Sequence, residues 1–139
     1  MNTFHAVVSL FTLLPAFASV ACHGAVPPEA QPAAEAWLGL VDAGRYAESW
    51  TEASSYFKGA VDSKTWEHQV AAVRGPLGQL ESRKLKSAQH VTSLPGAPDG
   101  DYVVFQFDAA FQRKTTAVET VTVSKEPDAT WRAAGYYIK

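Results

Sequence analysis

The sequence predicts an α+β domain, with N-terminal helices packed on a curved four-stranded antiparallel sheet. Apolar residues recur at helical spacing as far as Arg74 and alternate with polar ones after Gly78. The last three extended segments are separated by short turns, whereas a parallel crossover needs a dozen or more residues, so they must form an antiparallel meander. A run of helices followed by a run of strands places the helices on one face of the sheet.

The first helix is Ala33 to Ala43, AAEAWLGLVDA, with Trp37, Leu40 and Val41 at i, i+3 and i+4. Its alanines favour helix, and Gly44 supplies the stop. Residues Asp42 to Arg45 make a corner into a short helix from Tyr46 to Ala53, with Tyr46, Trp50 and Ala53 on one side. A third helix begins after Asp62-Ser63, with Ser63 as its N-cap and Trp66, Val70 and Val73 at i, i+4 and i+7. Gly75-Pro76 ends it at Arg74.

Ser82 to Val91 is a polar strand with Leu85 on one face and Lys84 and Lys86 on the other. The turn LPGAPDG follows, Leu94 to Gly100. Asp101 to Phe111 sets Val103, Phe105, Phe107 and Ala109 against Tyr102, Gln106 and Asp108. Thr115 to Lys125 is β-branched, Glu126 to Ala129 turns, and Thr130 to Ile138 is the last strand. Ala109, Ala110 and Gly135 are where such a sheet bends most easily.

The 139 residues suit one domain. A hydrophobic fraction of 47% and a charged fraction of 19% point to a packed core. A net charge of -2 excludes a strongly basic nucleic-acid binder. The lone Cys excludes an internal disulfide and a Cys-rich zinc site. Residues Ala6 to Val20 are uncharged, shorter than the ~20 that span a bilayer, and broken by Pro15. Small residues follow, so residues 1–21 read as a cleavable export signal, although Met1 to His5 hold no Lys or Arg. The mature chain is then periplasmic or secreted, with no transmembrane span. Cys22 follows Ala21 as in a lipoprotein signal, but Ser19 is not the usual aliphatic residue; lipidation of Cys22 is the lesser alternative to a free cysteine. Residues 22–32, with three prolines, read as a linker, and residues 33–139 as the single domain.

Three stretches carry a family resemblance: AWLGLVDAGRYAESW from Ala36, VRGPLGQLESRKL from Val73 and WRAAGYYIK from Trp131. With them the chain resembles the bacterial domain of unknown function 4019 family, a group of small exported proteins. The resemblance implies a cystatin-like cone similar to nuclear transport factor 2. It implies no catalytic residues.

The strand carboxylates are Asp108 and Glu119, with Tyr102, Tyr136 and Tyr137 on neighbouring strands. A buried carboxylate beside a tyrosine is a candidate general base. Asp108 shares a face with Gln106, which favours solvent, whereas Glu119 shares parity with Val121 and Val123. His5, His23, His68 and His90 show no ligand spacing, so no metal or other cofactor is expected. Gly-x-Ser-x-Gly and a phosphate-binding glycine loop are both missing. Arg74, Arg83, Lys84 and Lys86 read as a solvated strand edge, with Arg74 also placed to satisfy helix-end carbonyls or, with Tyr136, to contact a ligand. The functional expectation is a non-catalytic binding or accessory protein of the cell envelope, its partner a small apolar ligand or an envelope protein and not nucleic acid. The alternatives are a small acid–base enzyme using Glu119 or Asp108 in an aromatic pocket, and a homodimeric interaction module using the outer sheet face around Tyr102.

Overall fold

The computed structural model describes residues 25–139. The export signal and Cys22 lie outside the described residues. Four helices precede four strands: α1 (Ala30–Asp42), α2 (Tyr46–Thr51), α3 (Ser55–Ala60), α4 (Ser63–Arg74), a 3-10 turn (Gly75–Leu77), β1 (Leu80–Val91), β2 (Tyr102–Phe111), β3 (Lys114–Lys125) and β4 (Trp131–Ile138). The sheet order is β1-β2-β3-β4, all antiparallel. The α+β class is therefore as the sequence predicts.

The helices differ in detail from their expected limits. Helix α1 starts at Ala30, inside the segment read as a linker, and Ala30 is fully buried. Its buried face is Ala30, Ala34, Trp37, Leu38 and Val41, so Leu38 and not Leu40 sits in the core. The expected second helix stops at Thr51, and α3 follows as an unpredicted turn and a half that buries Phe57. Six residues including a glycine are too few to show a period. The N-cap of α4 is Asp62 and not Ser63: its carboxylate accepts from Thr65 N at 2.8 Å and Thr65 Oγ1 at 3.0 Å.

Helix α1 ends in a Schellman motif. Gly44 takes φ +73°, Gly44 N donates to Val41 O at 3.0 Å, and Arg45 N donates to Leu40 O at 2.9 Å. This stop fixes Asp42 as the last helical residue. A carboxylate there opposes the helix dipole and requires a cation nearby.

The inner sheet face is Phe105, Phe107, Val121 and Val123 together with Trp131, Ala133 and Tyr136 from β4. Trp37, Phe57 and Trp66 from the helices pack on it, with the Trp37 and Tyr136 ring centroids 5.5 Å apart. The buried indoles are satisfied: Trp37 Nε1 donates to Ser49 O at 2.8 Å and Trp66 Nε1 to Ser49 Oγ at 2.9 Å. A bulge in β4 controls which tyrosine enters this core. Val123 pairs with Ala133 but Thr122 pairs with Gly135, which leaves Ala134 as an extra residue. The alternation that starts at Trp131 and Ala133 would bring Tyr137 inward. The bulge shifts it by one, so Tyr136 is 3% exposed and Tyr137 is 53% exposed.

The sheet curls. His90 on β1 and Trp131 on β4 belong to opposite edge strands, which a flat four-stranded sheet separates by about 14 Å at ~4.8 Å per strand. Their ring centroids are 6.5 Å apart. Tyr102, expected to stand exposed on the outer face, is buried because the β1–β2 connection folds over it and its hydroxyl donates to Pro98 O at 2.6 Å.

Candidate functional site

Where the helix layer meets the sheet, five polar side chains from five elements converge. Glu119 on β3 is fully buried, in the same inward row as Ala117, Val121 and Val123. Arg83 on β1 pairs in register with Ala109 of β2. The small Ala109 leaves room for the Arg83 side chain to cross β2 and reach β3. Its Nε donates to Glu119 Oε1 at 2.7 Å. The rest of the guanidinium grips Asp42 at the end of α1, Nη1 to Oδ2 at 2.7 Å and Nη2 to Oδ1 at 2.9 Å. This two-point geometry suits arginine and not lysine.

Arg74, the last residue of α4, gives the second cation. Its Nη2 donates to Asp42 Oδ1 at 2.9 Å and its Nη1 lies 3.4 Å from the Tyr136 hydroxyl. Its guanidinium carbon stands 4.7 Å from the centre of the Phe111 ring, a cation–π contact. Tyr136 closes the circuit by donating its hydroxyl hydrogen to Glu119 Oε2 at 2.5 Å. Two guanidiniums thus face two carboxylates, and both Glu119 oxygens are engaged.

The electrostatics follow from this arrangement. Burial alone raises the Asp42 carboxyl, but the hydrogen bonds and charges of Arg83 and Arg74 outweigh it and hold Asp42 below its ordinary value of 3.8. Burial and the neighbouring Glu119 carboxylate push the Tyr136 hydroxyl well above 10.0. Burial pulls both arginines down, and their anionic partners lift them above the ordinary value. Arg74 and Arg83 stay charged, and Tyr136 stays neutral.

The sequence-predicted residues divide accordingly. Glu119, Arg74 and Tyr136 come together. Asp108 does not: its side chain is 58% exposed on the outer face, 4.0 Å from Lys86. Arg83 belongs to the interior and not to the solvated edge, which keeps only Lys84 and Lys86. Arg74 binds Asp42 and Tyr136, and no hydrogen bond to a helix-end carbonyl forms. Arg83 and Asp42 were missed as site residues; the parity Arg83 shares with Leu85 was the available signal.

Two open surface hollows lie elsewhere. One of ≈ 690 Å³ is bounded by Thr92, Asp99 and Asp101, and one of ≈ 510 Å³ by Thr51, Lys58, Glu126 and Arg132. Neither is lined by a member of the buried cluster. Among the described residues, no group of three His, Cys, Asp or Glu side chains is placed to hold a metal. No helix among them is long and apolar enough to cross a membrane.

The family model for DUF4019, a protein of unknown function, matches residues 33–136. The chain belongs to the DUF4019 family. No curated protein and no solved structure matches it. The matched span of this DUF4019 chain includes Asp42, Arg74, Arg83, Glu119 and Tyr136, so the whole buried cluster lies within the family domain.

Proposed function

We propose that this DUF4019 chain is an exported, non-catalytic binding or accessory protein of the bacterial cell envelope. One observation carries the non-catalytic part. Glu119 is the buried carboxylate of the sheet, and Arg83 and Tyr136 hold its two oxygens. A general base needs an acceptor facing the proton it removes. Here that capacity is spent on tying β1, β3, β4 and the ends of α1 and α4 together. The uncharged run Ala6 to Val20 supports export.

A small acid–base enzyme is the second reading, favoured by the complete burial of Glu119 beside a tyrosine. Native mass spectrometry of the chain recovered from the periplasm separates the two. A molecule held and released unchanged agrees with a binding protein. A bare chain, or a molecule released chemically altered, contradicts it. A fusion of residues 1–30 to a reporter that works only after export tests the destination; a silent fusion contradicts it.

A further inference from the structure

The two edges of the sheet differ. The β4 edge is taken: Ser54 N donates to Ala133 O at 2.8 Å, and Arg132 Nη1 donates to Glu52 O at 3.2 Å. The β1 edge is not. Among the described residues, no backbone hydrogen bond reaches Leu80–Val91 from the side away from β2. Such an edge is a template for another strand unless it is blunted. Half of β1 is blunted. Leu80 to Lys86 has register shifts at Leu80–Ser82 and Leu85–Ser87 and carries Glu81, Lys84 and Lys86 exposed. Ser87 to Val91 pairs with Gln106 to Tyr102 without a shift and holds no Lys, Arg, Asp or Glu. The helix layer also stops short of this edge. Leu85 and Ala88 pack on the core but are partly exposed, whereas their register partners Phe107 and Phe105 are sealed.

We propose that the β1 edge receives an extended, acidic segment of a partner protein, which joins the sheet as a fifth strand. This rests on the binding reading above and narrows its partner to a protein. The backbone of β1 supplies the hydrogen bonds, and the flanking side chains supply the selection. A strand laid beside β1 has two faces. Its inner face lies next to Leu85 and Ala88 and suits valine-like residues. Its outer face lies next to Lys84 and Lys86. Lys84 stands opposite Asp108 and Lys86 is 4.0 Å from it, so two cations share one carboxylate and a positive charge is left over. Arg83 takes no part, because it is turned inward to Asp42 and Glu119. Glu81 is about 10 Å away along the strand. Carboxylates on the partner answer the excess charge. A second copy of β1 brings lysines instead, and lysines on an edge repel their like. Antiparallel pairing, the more stable kind, sets the partner's acidic residues at its C-terminal end.

The test uses the purified full chain and two capped, dye-labelled peptides, TVTVTVEVE and TVTVTVKVK. Fluorescence anisotropy is expected to give the first a dissociation constant of about 100 μM or tighter, and the second one weaker by about 10-fold or more. Reversing both lysines, Lys84→Glu with Lys86→Glu, is expected to exchange the two affinities. Ala88→Lys points a charge inward at the edge and is expected to abolish binding of either peptide, with an unchanged far-ultraviolet circular dichroism spectrum. Amide hydrogen exchange read by magnetic resonance locates the contact even where that variant fails to fold. Alternate amides of Ser87–Val91 are expected to exchange fast in the chain alone and to slow on adding TVTVTVEVE. No binding of TVTVTVEVE at about 1 mM overturns the proposal. So do equal affinities for the two peptides, a preference that ignores the lysine reversal, or protection that appears elsewhere than on β1. A chain whose β1 amides are already protected by a second copy overturns it too. Each of these results leaves the non-catalytic reading standing, since the molecule recovered with the chain tests that separately.

Discussion

Arg83→Met is the most informative single change in the buried cluster. Methionine keeps the apolar stem and removes the guanidinium. Asp42 then loses two hydrogen bonds but keeps Arg74, and its side chain is 21% exposed and can take up water. Glu119 has no such recourse. It is fully buried and keeps only the Tyr136 hydroxyl. Leaving one partner of a buried ion pair uncompensated costs about 3–5 kcal/mol, a large share of the ~5–15 kcal/mol that stabilises a domain. Replacing both partners removes the stranded charge, so Arg83→Met with Glu119→Leu is expected to cost about 2 kcal/mol less than the two single changes added. Urea unfolding followed by the fluorescence of buried Trp37 and Trp66 measures all four corners of the cycle. A loss below about 1 kcal/mol for Arg83→Met, or additivity within ~0.5 kcal/mol, refutes the coupling.

Two further outcomes follow from the geometry. Ala129 sits at φ +69° in the β3–β4 turn, closed by Ala129 N to Glu126 O and Glu126 N to Thr130 O, both 2.8 Å; Ala129→Gly removes a left-handed penalty of about 1–2 kcal/mol against a glycine entropy cost of ~0.5–1 kcal/mol, so a rise of a few degrees in the melting temperature is expected and a fall contradicts it. Stability also depends on pH at both ends: the lowered Asp42 value contributes stability above about 3.9 that is lost as pH falls through the folded value, and the raised Tyr136 value contributes stability below about 10 that is lost as pH rises past it. Urea midpoints across pH are expected to show a shallower acid limb in Asp42→Asn and a shallower alkaline limb in Tyr136→Phe; limbs identical to wild type contradict the assignment.

Much of this was legible in the sequence, and the gaps have physical causes. Periodicity and the Gly and Pro breaks between elements found α1, α4 and the strands, because each turns one face toward the core over eight or more residues. Glu119 was placed inward by its parity with Val121 and Val123, and its placement needed no knowledge of its partners. Arg83 has the same kind of signal through Leu85, but a charged residue on a polar edge strand reads as solvated unless the distant carboxylates are known. Asp42 and Glu119, its two partners, are 41 and 36 residues away. The choice between Tyr136 and Tyr137 was closed to alternation, since the Ala134 bulge reverses it. Tyr102 was misplaced for another reason: the proline- and glycine-rich connection reads as a turn, and nothing in its composition says that it folds back across the sheet.

Arg83 is locked between Asp42 and Glu119 inside the protein. Nitrogen-15 magnetic resonance of the arginine Nε–H groups tests it directly, with exposed Arg45 as the internal reference, its side chain 59% accessible. The expected result is an Arg83 Nε–H that exchanges with water far more slowly than that of Arg45 and moves sharply in Glu119→Gln. An Arg83 signal that exchanges as fast as Arg45 and ignores that substitution would contradict it.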